Sequence, residues 1–440
     1  MKKLIVTLLL IAGMTSAIDA QWVSPGLGES YTLMDIVEVS NGAMVFEGGN
    51  FFIMQDITIS DDDILAIAEL GDTHIALKLS TLTIKGLLTI ESPTWILGDD
   101  VSGICFDHAR RSEIGMTSFE YLAGINLIES DIMFMGCTFT GFSTEYTSAA
   151  VTYMNCNPNF TMCVFTNNEG PAIASGANVQ GSPSIVLCQF RGNNTANTNS
   201  PQINLGPGGE DEIVIEGCDI IGDGHNMVGG ISISNILAIG TTRVRLTNNY
   251  VANNRYGYNQ QGDNIIAVLT SNEFLSNDLE TNPMNGGSGV SIYGASTNCK
   301  ATLRNNFIAG NLWGVTAINM HNIDMGTEEN WGHNRIFKNV NTTGEFDLYN
   351  NSACDISAVG NFWGTTNEEL VEEYIFHKTD DPSLGLVTYL PLWDEDGIPE
   401  VNVVPTLDNR VYSVDGRYLG TEVPEDYKGF YIQNGKKYFR

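Results

Sequence analysis

The chain runs to 440 residues with 52 acidic against 21 basic side chains, a net charge of −31, and so repels nucleic acid and anionic lipid surfaces. Only 17% of its residues are charged, while glycine alone reaches 46, which excludes both an acidic disordered tail and a long-helix protein. Many short strands and turns suit this composition.

The first stretch, "MKKLIVTLLLIAGMTSAIDA", sets Lys2 and Lys3 before an apolar run from Leu4 to Ala12 and then small residues. That is the pattern of a secretory signal peptide, assigned to 1–20. No later stretch reaches the roughly 18 to 20 apolar residues of a membrane-spanning helix. The expectation is a secreted or cell-surface protein with no transmembrane helix and no nucleic-acid partner. Residues 21–100 are strand-rich but irregular ("ALKLSTLTIKGLLTIES"); they are expected to form an N-terminal cap and the first turns of a repeating architecture.

From residue 101 to 365 the chain repeats itself. "NNYVANN", "SNEFLSN", "NNFIAGN" and "HNRIFKN" align Asn249, Asn272, Asn306 and Asn334, with Asn361 beyond them. Backwards, the same slot holds Cys218, Cys188, Cys163 and Cys137, at steps of 23 to 34 residues. A period in this range signals a solenoid, a propeller or an array. Each unit carries short alternating stretches such as "RVRLTNN" and "SGVSIYG" and no 3.6-residue period, which fits one turn of a parallel β-helix. Neighbouring turns then sit about 4.8 Å apart, so that one sequence slot becomes a column.

An inward Asn column forms a ladder of mutually satisfied amides, and a small apolar Cys fills the same corner without needing them. Cys156, Cys299 and Cys354 each precede a ladder slot by seven residues and read as a second inward position. Free thiols are favoured over disulfides between adjacent turns, which the spacing also admits. In "SGVSIYG" the two-residue period turns Val290 and Ile292 inward and Ser291 and Tyr293 outward.

Residues 366–400 break the repeat. Thr365 with Glu368 has capping-box spacing, and Leu370, Val371, Tyr374 and Ile375 make an apolar face, so a short helix is expected to cover the end of the core. The run "GNFWGT" followed by "DDPSLGLVTYLPLW" resembles the closing segment of right-handed parallel β-helix repeat proteins, the pectate-lyase-like superfamily in the broad sense. The resemblance implies an all-β, right-handed solenoid; its activities range from lyases and hydrolases to none.

Residues 401–440 change character, with six basic residues against five acidic and an Asn434-Gly435 hairpin signal. "KGFYIQNGKK" resembles the C-terminal sorting domain of type IX secretion substrates in Bacteroidetes. That resemblance implies export machinery as a partner.

Three kinds of site are candidates. Arg243 and Arg245 lie on one strand face and are the best basic pair for a lyase, although Glu212 and Lys300 fall in the Arg243 column and suggest a cross-turn ion pair instead. The acidic runs at Ser60, Gly209 and Trp393 are where calcium would bind. None has EF-hand spacing, so these runs are expected to be solvated turn charges, and no metal or other cofactor is expected. The loop "GDGHN" around His225 lacks the paired aspartates of a polygalacturonase-type site.

Aromatics on the outer face, Tyr293 and Tyr349 in corresponding slots with Trp313 and Tyr256 near strand starts, would stack on sugars. The reading is a surface or secreted β-helix acting as a non-catalytic binding or adhesion module, with polysaccharide or cell-surface glycan as partner. The alternative is a polysaccharide lyase or glycoside hydrolase with its site on the long loops 191–211 and 276–289.

Overall fold

The computed structural model describes residues 21–394 apart from 70, 295, 296 and 321, and beyond them 411–413, 418–420, 422–424, 428, 430–433 and 436–439. The signal-peptide assignment, the Asn434-Gly435 turn and most of the run after Trp393 lie outside the described residues.

Each repeat supplies three short strands, and the turns stack in register into three long sheets of 14, 14 and 13 strands, parallel throughout except where Met44–Glu47 pairs antiparallel with Asn50–Ile53. Sheet 1 runs from Trp22–Val23 to Ile375–Phe376, sheet 2 from Ser30–Tyr31 to Val387–Thr388, and sheet 3 from Met44–Glu47 to Arg335–Phe337. The chain visits sheets 1, 2 and 3 in that order on every turn, which gives the right-handed parallel β-helix. The expected inward and outward alternation holds: Val290 and Ile292 are fully buried while Ser291 and Tyr293 are not.

Like residues stack on like. On sheet 3, Phe119, Phe139, Phe165 and Phe190 occupy successive turns with ring centroids 5.2, 4.4 and 5.0 Å apart. Such offset stacks add to the area they bury.

Between sheets 2 and 3 runs the predicted ladder. Asn249, Asn272, Asn306 and Asn334 each donate from Nδ2 to the next rung's Oδ1, ending on Asn361, at 2.8 to 3.0 Å. The residue before each rung is left-handed, as at Asn248 (φ 56) and Asn305 (φ 57), a conformation that asparagine tolerates. This explains the doubled Asn: the first turns the corner and the second points inward.

The cysteines imitate the rungs. The backbone N–H groups of Cys163 and Cys188 donate to the Sγ of Cys188 and Cys218, each at 3.4 Å, and the Cys188 thiol donates to the Phe160 carbonyl. All eight cysteines are thiols. Hydrogen bonding to the Cys163 thiol, at Cys188 also to the Cys218 thiol, and then burial, holds Cys137 and Cys188 protonated well above the ordinary range.

A second ladder, which the repeat alignment did not anticipate, fills the corner between sheets 3 and 1. It runs Asn168, Asn193, Gln202, Asn254, Asn277, Asn311, Asn339 and ends on Asp347, each side chain donating to the next.

Helices cover both ends of the solenoid. Leu33–Val39 carries a Thr32/Asp35 capping box and buries Leu33 and Ile36. At the other end the helix is Glu368–Tyr374 with Asn367 as N-cap, not Thr365, and of the expected apolar face only Val371 is buried in the helix. Leu370 is 37% exposed, because the helix makes only two turns and Ile375 leaves it to pair with Leu348 in sheet 1. His377 ties this cap together. Its Nδ1 accepts the Val387 N–H, so its Nε2 donates to Glu372, which also receives the Tyr389 hydroxyl.

Two other expectations need correction. The run 191–211 is not one loop, since Ile203–Leu205 within it forms a strand of sheet 1. In the acidic run at Ser60, Asp63 is no solvated turn charge. It is buried and accepts the backbone N–H groups of Gly26, Gly28 and Glu29 at 2.8 to 3.0 Å.

The segment from Asp394 on is a separate compact unit. Within it the strands Tyr418–Gly420, Val411–Ser413, Phe430–Gln433 and Lys436–Phe439 form one antiparallel sheet in that spatial order.

Candidate functional site

A groove of about 540 Å3 lies on the outer face of sheet 1. Its floor is a column of small polar side chains, one per turn: Asn204, Ser232, Asn259, Ser291, Thr316 and then Tyr349. The two-residue strand period keeps this column outward while Ile231, Ile233, Val290 and Val315 fill the core.

The walls are loops built by the longest insertions. Arg255 joins them: Nε and Nη2 donate to the Asn285 carbonyl, at 2.9 Å from Nε, and Nη1 donates to Asn199 Oδ1. Trp313 pins the same loop, its indole N–H donating to the Pro283 carbonyl at 2.9 Å. Met284, at the loop's tip, is 85% exposed beside the groove.

Aromatic rings close the C-terminal end. Tyr349 stacks on Phe376 at 4.7 Å and meets Trp313 edge-on at 5.0 Å. Phe346 packs against Trp313 at 4.9 Å. With Phe376 on one face of Tyr349, the other face turns toward Thr316, its neighbour in the column. Tyr256 lies flat over Gly229, where an added Cβ would meet the ring at 2.1 Å. Burial pushes its hydroxyl up to about 12, so it stays protonated at neutral pH.

Three of the four aromatic candidates, Trp313, Tyr349 and Tyr256, therefore line one groove. Tyr293 does not. It occupies the neighbouring outward column with Gln261 and Ile318, whereas Tyr349 stands in register with Ser291 through Thr316. Tyr349 therefore corresponds to Ser291, two residues before Tyr293 in its strand, and Tyr293 corresponds to Asn351.

Arg243 and Arg245 are on sheet 2, away from the groove. The expected column of Glu212, Arg243 and, two turns on, Lys300 is present, but the ion pairs belong to Arg245, which reaches Glu212 at 3.0 Å and Glu216 at 2.9 Å. The bond to Glu216 and then that to Glu212 raise its pKa further, the wrong direction for a proton acceptor. Arg243 donates to the Glu210 carbonyl. His225 sits in its loop beside Asp223. Among the described residues no cluster of His, Cys, Asp or Glu is arranged to hold a metal ion, and no helix is long and apolar enough to cross a membrane.

Arg255, Asn259 and Gln261 are groove residues the sequence motifs did not single out. The "YNQQG" run carried a signal, since alternation leaves Asn259 and Gln261 outward around an inward Gln260. Phe346 and Phe376 had none, because their meeting depends on the inserted hairpin and the C-terminal cap.

Neither a protein-family profile nor a curated protein matches this chain. Among solved structures, one variant of the periplasmic alginate epimerase AlgG is similar with a TM-score of 0.41 and 12% identity, over 83% of each chain. Another AlgG variant gives 0.36 and 11%, over 83% of this chain and 82% of that one. At this level of likeness no chemistry transfers.

Proposed function

We propose that this protein is an exported glycan-binding or adhesion module that holds its ligand in the sheet 1 groove without breaking it. One observation carries the reading: an aromatic wall and a floor of amides and hydroxyls share a groove whose lining, among the described residues, includes no Asp or Glu. Aromatic faces and convergent polar groups are what sugar recognition needs. A hydrolase needs two carboxylates about 5 to 10 Å apart across its cleft, and a lyase needs a free base beside neutralised carboxylates. The groove supplies neither set. Export by the signal peptide, and recognition of the last 40 residues by a type IX system, belong to the same proposal.

The test is to incubate the full-length secreted protein, with and without calcium, on a panel of polysaccharides while following unsaturated products, reducing ends and retention. Retention without new ends, lost in Tyr349→Ala, is the expected result. New ends with any polymer overturn the non-catalytic reading.

A further inference from the structure

We infer that the groove takes a neutral, hydroxyl-rich glycan chain lying along the solenoid axis, across the strands; this rests on the glycan-binding reading above. The direction comes from the columns. Asn204, Ser232, Asn259, Ser291 and Thr316 repeat one per turn, about 4.8 Å apart along the axis. The neighbouring outward column adds Gln261 and Asn351 to the lining, with Tyr293 and the apolar Ile318 on the turns between them. Groups repeated along one line suit a ligand with groups repeated along one line.

The chemistry comes from what those groups leave open. Asn259 donates to Ser232, and Ser288 pairs with Thr316. The side chains of Asn204, Gln261, Ser291 and Asn351 make no hydrogen bond within the protein among the described residues, and all four line the groove. Each amide offers both a donor and an acceptor, and so does each hydroxyl. A sugar hydroxyl matches that duality. A carboxylate or sulfate only accepts, and would face amide and hydroxyl oxygens that also accept.

Charge points the same way. Arg255 is the one charged residue in the lining among the described residues, and its Nε, Nη1 and Nη2 already serve the two loops. A polyanion would meet a chain of net charge −31 with no row of cations to offset it. At the aromatic end, Tyr349 and Trp313 both line the groove, and their apolar surface fits the C–H face of one sugar ring.

The experiment measures binding of full-length protein to two neutral polymers, mannan and mixed-linkage β-glucan, and to three anionic ones, alginate, polygalacturonate and carrageenan. Neutral polymers are expected to bind, with affinity unchanged between about 0.05 and about 0.5 M salt. Gln261→Ala and Asn204→Ala should each weaken binding about 3- to 10-fold, and Tyr349→Ala about 10-fold or more. Arg191→Ala on sheet 3 should leave binding unchanged. Melting curves confirm that each variant folds. Salt-sensitive binding of the anionic polymers alone, abolished by Arg255→Gln, overturns this inference while the glycan-binding reading stands. Neutral binding that ignores all three groove substitutions also overturns it. Silence from every polymer sinks the glycan-binding reading itself.

Discussion

Asp347 is the last rung of the second ladder and differs from the asparagine rungs by one atom. Its Oδ1 accepts the Asn339 amide at 2.8 Å, but its buried Oδ2 has no partner. At earlier asparagine rungs that position is an amide NH2 that donates to a strand carbonyl of the turn before, as Asn311 does to Phe274 and Asn339 to Ile308. Burial pushes the Asp347 carboxyl well above its ordinary value; the Asn339 hydrogen bond lowers it in part, and nearby Glu345 adds to the rise. A carboxyl raised in this way contributes stability that is complete below its unfolded pKa and lost as pH climbs through the folded one. Asp347→Asn should therefore raise stability by about 1–3 kcal/mol at neutral pH, with the gain shrinking toward pH ~4. Melting temperatures at the two pH values check it, and a variant less stable at neutral pH would refute the argument.

Asp63 carries the opposite sign. Burial alone would raise its carboxyl, but hydrogen bonds from Ser24 and from the N–H groups of Gly26, Glu29 and Gly28 outweigh burial and hold it low. Its contribution is complete above the unfolded pKa and disappears as pH falls through the folded one. Asp63→Ala should cost about 2–4 kcal/mol at neutral pH and progressively less in acid. Hydrogen exchange of Gly26, Gly28 and Glu29 measures the loss where it occurs.

At the scale of the repeating element, the two ladders make a rung expensive to remove. Asn272 accepts from the backbone N–H and the side chain of Asn249, and its own N–H and side chain donate to Asn306. Asn272→Ala strands these groups in the core and should cost about 2–4 kcal/mol. Asn272→Cys should cost about half as much, because a thiol accepts a backbone N–H and donates to a carbonyl at Cys188. Denaturant melts of the two variants rank them; equal losses would remove the equivalence of thiol and amide.

The first ladder was legible because its slot recurs beside a left-handed residue that favours Asn or Gly. The second had a signal of equal strength, an Asn five residues after the rung at Cys163, Cys188, Asn249, Asn272, Asn306 and Asn334. It is hidden where Gln202 reaches across the turn of Cys218 and where Asp347 replaces the amide. The groove was half legible. Strand alternation gives the outward direction of Tyr349, but Trp313 opens its strand out of that alternation beside Ser288, and the column Tyr349 joins is set by a pairing register that the repeat spacing does not carry.

For the whole molecule, the question is where the structural unit stops. Sheets 1 and 2 close on Ile375–Phe376 and Val387–Thr388, and the helix Glu368–Tyr374 buries Val371 against the end of the core. Trp393 still belongs to the solenoid: its N–H donates to the Asn361 carbonyl, its ring meets His333 edge-on at 5.0 Å, and Arg335 lies 5.9 Å over it. From Asp394 the chain forms its own unit, and among the described residues no groove residue comes from it. A stacked solenoid draws its stability from each turn and its neighbours rather than from distant segments. A chain ending at Asp394 should therefore keep the melting temperature of the solenoid transition and bind the same glycans within about twofold, while a chain ending before Trp393 loses the Asn361 contact and melts earlier. If the tail serves export, the first truncation accumulates inside the cell with its fold intact. A solenoid that unfolds without the tail would instead make residues 394–440 part of the cap.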